Sequence, residues 1–260
     1  VNLFTPTGDI DAANALPIGT VRVRDLPVAL ARVAGLAEIV HLAEAASDKA
    51  ITLTATTTEA PNSAVNADIN VQSARLNAAA RALMRPDVIE IQSAKATLLA
   101  TPALVEQSVA HFAPDLEPRP ALARDVPITL EVAPVKLPAD GWGRPNLARS
   151  PDVSATVRSD GDIIVQGATM LDDQPIDVGL RALVAEATYA LASNEARRAR
   201  LRAGVFEPET PDRLVGTLTG DVALESNQPT EGVVKVEGLD TARADALLNK
   251  PGLLEWSMGP

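Results

Sequence analysis

Cysteine does not occur in this chain. Its absence excludes a disulfide framework, a thiolate metal site and a thiol nucleophile, and leaves the compartment open. Aromatic side chains are almost as scarce, at 2% of the residues. Sites for bases, sugars and flat cofactors recruit aromatic faces, so such ligands are not expected. Basic charge is also short: 23 Lys and Arg against 34 Asp and Glu leave a net charge of −11. A phosphate backbone needs a concentrated basic surface, so nucleic acid is not an expected partner. No apolar run approaches the roughly 20 residues that span a bilayer as a helix, and no stretch reads as a charged-then-apolar signal segment.

Ala, Val and Leu supply nearly all of the 46% hydrophobic content, and they are arranged with a period. The chain is organised around residues 19 to 46. An alternating segment, Thr20-Val21-Arg22-Val23-Arg24, passes through Asp25-Leu26-Pro27 into an Ala/Leu/Val helical run. Asp25 is predicted as the N-cap of that helix and Pro27 as part of its first turn. The same device returns near the far end as Gly232-Val233-Val234-Lys235-Val236-Glu237-Gly238-Leu239. Gly19, Val21, Val23, Leu26 and Ala29 match Gly232, Val234, Val236, Leu239 and Ala242 at one common offset of 213 positions, that of Gly19 from Gly232. So long a period suits whole sheet modules joined end to end rather than solenoid repeats.

Between the two copies the pattern is mostly strand. Ile51, Leu53 and Ala55 alternate with threonines, and Val65, Ala67, Ile69 and Val71 with Asn, Asp and Gln. Residues 74–84 suit either period and are read as strand because the turn Arg85-Pro86-Asp87 leads straight into another. A short helix is predicted after Thr101, with Pro102 at its first position. Residues 114–127 form a proline-dense connection, 126–132 a strand, and 138–151 a loop that is the expected seam. Asp160-Gly161 predicts a tight hairpin turn with positive φ at Gly161. Strands are expected on both sides of Ser193-Asn194, where Arg198, Arg200 and Arg202 alternate with Ala199, Leu201 and Ala203.

The fold class is therefore α+β and β-rich: a long twisted, mostly antiparallel sheet with two or three short helices packed on or capping it. The expected division is a first sheet module at 1–140 containing the strand–helix unit, a second part at 141–229, and the start of the next repeat at 230–260. The start at Val1 and a stop just inside that repeat lead us to expect a piece of something longer.

Chemistry-bearing motifs are sparse. His41 and His111 lie in helical runs without an H-E-x-x-H frame or a G-x-S-x-G elbow. Asp160/Asp162 and Asp172/Asp173 lack calcium-loop spacing, and no phosphate-binding glycine motif occurs. No catalytic, metal or cofactor site is expected, and the chain is read as a non-enzyme. The cluster Arg197, Arg198, Arg200 and Arg202 reads first as a solvated strand face, or else as a contact for an anionic headgroup or an acidic patch.

What remains is the apolar face, carried by Ile51, Leu53, Val65, Ile69, Val71, Ile128 and Leu130. Alternation places all seven on one side of one sheet. They either pack under helices as an ordinary core or line a greasy trough.

The unit from Val21-Arg22-Val23-Arg24-Asp25-Leu26-Pro27 to Gly35-Leu36 resembles the repeat of AsmA-like proteins of the bacterial cell envelope. Val234 to Leu239, Pro251-Gly252-Leu253-Leu254 and the run Leu98-Leu99-Ala100-Thr101-Pro102-Ala103-Leu104 carry the same resemblance. It implies a twisted sheet folded into an apolar groove that carries phospholipid, or another acyl-chain lipid, across the periplasm towards the outer membrane. The seven residues above would then face lipid. It also implies a full-length protein anchored in a membrane through parts absent here, with further envelope proteins as possible partners. The alternative is a structural or adhesive β-repeat of an envelope or surface protein, with a closed core.

Overall fold

The structure, a computed structural model, describes residues 18–29, 40–112, 119–142, 144–171, 174–209, 211–225 and 228–238. Its elements in chain order are β1 (Gly19–Pro27), α1 (Val40–Ser47), β2 (Ala50–Ala60), β3 (Ala64–Gln72), β4 (Leu76–Met84) and β5 (Val88–Ala100). There follow α2 (Pro102–Phe112), β6 (Ala121–Leu122), β7 (Val126–Val132), β8 (Val135–Pro138), β9 (Asp152–Ser159) and β10 (Ile163–Leu171). The last four are β11 (Gln174–Ala190), β12 (Glu195–Phe206), β13 (Leu214–Glu225) and β14 (Gln228–Glu237).

Among the described residues all 14 strands belong to one antiparallel sheet that does not close on itself. Its main path is a meander, β1-β2-β3-β4-β5-β7-β9-β11-β12-β13-β14. Three strands lie off the path because long strands are broken into pieces. β7 and β8 pair with successive parts of β5, and β9 and β10 with successive parts of β11. The sheet therefore has eleven strand positions. Pairing passes from β7 to β9 across the 138–151 loop without interruption.

The residues explain the elements. β2 and β3 are Thr-, Ile- and Val-rich, which suits a pleated, half-buried surface. The Ala-rich stretch 76–84 has good helix propensity but forms β4 between β3 and β5. Ladders offered on both sides satisfy its backbone and place its alternate alanines on the apolar face, which outweighs intrinsic preference. Thr101 caps α2, its Oγ1 accepting from Leu104 N at 3.2 Å.

Two local expectations are corrected. Asp25 and Pro27 do not start a helix, because β1 continues through Pro27, which sits opposite Ala50. Asp25 instead occupies a β-bulge with φ 52°, where its short polar side chain tolerates the left-handed region. Asp160-Gly161 is not a hairpin either. β9 and β10 run in the same direction along β11, and the turn is a jog in one interrupted strand. Gly161 does not have positive φ. Asp160 accepts from Thr129 Oγ1 at 3.1 Å and Asp162 holds Arg181 at 2.6 Å, so side-chain partners hold the jog that turn chemistry alone would have closed. The helical run at 30–39 and the second copy beyond Gly238 lie outside the described residues.

Both helices lie at one end of the sheet, where β1 and β5 finish and β2 begins. Arg75 Nη1 donates to Ala45 O of α1 at 3.3 Å, tying α1 to the β3–β4 turn. The buried cluster is there too: Ala100, Leu122, Val126 and Ile163, packed with Val105 of α2 and with Ile128, Val165, Leu180 and Leu183. At the opposite end Ala64, Val65, Ala67, Ile89 and Leu137 are buried.

Candidate functional site

Register defines the two faces of the sheet. In an antiparallel ladder directly opposed residues point to the same side. Starting at Val23, the opposed residues are Leu53, Val71, Ala78, Ala96, Leu130, Val157, Ala185, Leu201, Gly220 and Val234. This row crosses all eleven positions without a polar side chain. Two residues along, a second row starts at Val21 and runs through Ala55, Ile69, Ala80, Ala94, Val132, Ala155, Ala187, Ala199 and Val222 to Gly232. It too carries no polar group. At a strand spacing of about 4.8 Å, each row is an apolar path of about 48 Å running across the strands.

The opposite face is polar over the same span. Its central row contains Arg22, Thr54, Asn70, Lys95, Glu131, Thr156, Glu186, Arg200 and Asp221, with Ala79 and Val233 the exceptions. Cross-strand ion pairs lace it: Arg81 to Asp68 at 2.9 Å, Lys95 to Glu131 at 2.9 Å, and Arg198 and Arg200 to Asp221 at 2.5 and 3.2 Å. The hydrogen bond from Arg198 draws the Asp221 carboxyl down to about 2, against a smaller desolvation effect. The bond from Lys95 likewise lowers Glu131. These groups are exposed, so each pair contributes little to stability.

All seven residues expected on one face are on it, but they are not equally accessible. Ile69 is 41% exposed and Leu130 37%. Ile51, Leu53 and Val71 are half-buried. Ile128 packs against the cluster at the helical end. Val65 is fully buried at 0%, so nothing bound on the open face reaches it. At the outer strands exposure rises to 60% at Val21 and 69% at Val234. The helices thus cover one end of the strands and leave the middle of the apolar face accessible. Sequence reasoning missed the continuation through Ala78, Ala96, Val157, Ala185, Leu201 and Val234. Its signal was present in the alternation of 76–84 and of 198–203.

A hollow of about 1120 Å³ opens on the polar face over β11 to β14, walled by Glu186, Arg198, Arg200, Arg202, Asp221 and Lys235 among others. A twisted sheet is saddle-shaped, so a hollow along one diagonal of either face is expected. Its lining is mixed: the charged side chains stand beside Val184, Ala223 and Val233, and Leu201, Gly220 and Gly232 of the apolar rows border it as well. The arginine cluster divides. Arg198 and Arg200 share Asp221, while Arg197 reaches Glu195 at 3.3 Å.

Among the described residues no three His, Asp or Glu side chains gather as metal ligands, and no helix is long and apolar enough to cross a membrane. His111 lies exposed near the end of α2, and the side chain of His41 lies outside the described residues. No family model, curated protein or solved structure matches this chain.

Proposed function

We propose that this chain is a non-enzymatic segment of an AsmA-like cell-envelope protein. Its apolar sheet face would bind phospholipid, or another acyl-chain lipid, on the way between membranes. The observation that carries this reading is the pair of adjacent apolar rows crossing all eleven strand positions, accessible in the middle rather than sealed by the helices. Monomers normally expose apolar patches of only a few hundred Å². A continuous strip of this length is better suited to a mobile hydrocarbon chain than to water. The polar face, with its laced charges, would stay solvated. In this reading the periplasm is the compartment, and membrane contact belongs to other parts of the full-length protein.

The structural or adhesive alternative requires a closed core, and the exposure of Val21, Ile69, Leu130 and Val234 weighs against one. The purified chain, expressed in a Gram-negative host, is expected to carry phospholipid detectable by native mass spectrometry and by solvent extraction. The double variant Ile69→Asp/Leu130→Asp is expected to remain folded by circular dichroism and to lose that lipid. A wild-type chain free of lipid, or a folded double variant that retains it, overturns the conduit reading.

A further inference from the structure

Two neighbouring rows of the polar face carry their charge differently. The central row balances Glu131, Glu186 and Asp221 with Arg22, Lys95 and Arg200. The row two residues along runs from Thr52 in β2 to Lys235 in β14 and contains no acid. It carries Arg158, Arg202 and Lys235 instead. Arg158 has a nearby counter-charge: after Lys95, it helps to hold the Glu131 carboxyl below its usual range. Arg202 and Lys235 do not. Among the described residues neither side chain makes an ion pair or a hydrogen bond, and nor does the Thr219 hydroxyl.

These three residues are adjacent by register. Arg202 opposes Thr219 and Thr219 opposes Lys235, so the threonine stands between the two cations on one face. At the strand spacing of a sheet their backbones are about 10 Å apart, a gap that two long side chains close from both sides. All three line the hollow over β11 to β14. Five cations and three acids line it, in a chain whose acids outnumber its cations 34 to 23. The positive excess is therefore local, and a concave wall of one sign concentrates the opposite charge.

We propose that Arg202, Thr219 and Lys235 form a binding site for a phosphomonoester dianion. Such a group carries nearly two negative charges and three acceptor oxygens. A guanidinium fork, an ammonium and a hydroxyl supply the matching donors. The bound dianion also removes the repulsion between two cations held across a single strand. The hollow is far larger than a phosphate, so the group arrives on a larger body. Val184, opposite Arg202, and Val233, two residues from Lys235, offer that body apolar contact. None of the described lining residues is aromatic, so a nucleobase has no surface to stack on. The phosphate is carried either by a lipid headgroup or by a soluble non-aromatic molecule. The site lies on the polar face and does not depend on what the apolar rows carry.

The test is titration of the intact chain with glycerol 3-phosphate, followed by amide NMR, with glycerol as comparison. Saturable shifts are expected around Arg202, Thr219 and Lys235, and none with glycerol. Arg202→Gln/Lys235→Gln is expected to weaken binding about tenfold or more, with an unchanged melting temperature. Thr219→Val, which keeps the charge, is expected to weaken it less. Arg22→Gln/Arg24→Gln removes the same charge from exposed positions of β1 and is expected to leave binding intact. Flotation with vesicles of equal parts phosphatidylcholine and phosphatidic acid then separates the sources. Co-flotation that the Arg202/Lys235 variant loses assigns the site to a headgroup, and binding without co-flotation assigns it to a soluble phosphate. No saturable binding, shifts centred elsewhere, or an equal loss in the β1 variant overturns the proposal.

Discussion

Ile69 and Val65 sit on the same strand and face, four residues apart, yet they should respond oppositely to charge. Val65 is completely buried, so Val65→Asp places an unpaired carboxylate out of water and should cost several kcal/mol. Ile69 reaches water, so Ile69→Asp should cost less than about 2 kcal/mol. Chemical denaturation of the two variants checks this, and equal losses would mean that the face is closed in solution. A second expectation concerns acid. Asp221 has its carboxyl pKa lowered from 3.8 to about 2, first by the Arg198 hydrogen bond. A lowered carboxylate stabilises the fold above its unfolded value, and that contribution disappears as the pH falls through about 2. Between these values Tm should fall more steeply with falling pH in wild type than in Asp221→Asn, by a small amount that salt suppresses, because the pair is exposed.

At the scale of elements, Gly161 at the break between β9 and β10 and Gly179 in β11, the strand that spans the break, make a contrast. Gly161 has open space around the position of a Cβ and no left-handed backbone. Gly161→Ala should therefore change stability by less than about 0.5 kcal/mol. Gly179 lies against the Phe206 ring, which an added Cβ would overlap. Phe206 is itself buried under Arg181, whose guanidinium lies 5.0 Å from the ring centre. Gly179→Ala should cost about 1–3 kcal/mol as an overpacking change, and thermal melts of the two variants side by side test both statements. Strand periods and the α2 cap were legible in the sequence because they depend on neighbours two to four residues away. The Asp160-Gly161 hairpin was misread because a turn motif reports local bending alone. Whether the chain reverses or jogs there depends on Thr129 and Arg181, 31 and 19 residues away from their partners.

At the scale of the molecule, a meander gives each strand only its neighbours to lean on, as in repeat proteins. Hydrogen exchange should be slowest from β5 to β11, where the buried cluster and α2 add support, and should accelerate towards β1 and β14. Uniform protection across the sheet would contradict this. The sequence by itself determined the class of the fold, the segregation of apolar from polar residues, and the membership of Ile51, Leu53, Val65, Ile69, Val71, Ile128 and Leu130 in one face. A period of two is a local property, and a slip of one residue would expose them all. Only the tertiary structure decided that the same face continues through the alanines of β4, β5 and β11 and on to Val234. It also decided that the helices cap one end instead of lying over the middle, and that Val65 is closed off while Ile69 stays open. Those outcomes depend on register between strands and on where the chain places α1 and α2, and no local period encodes either.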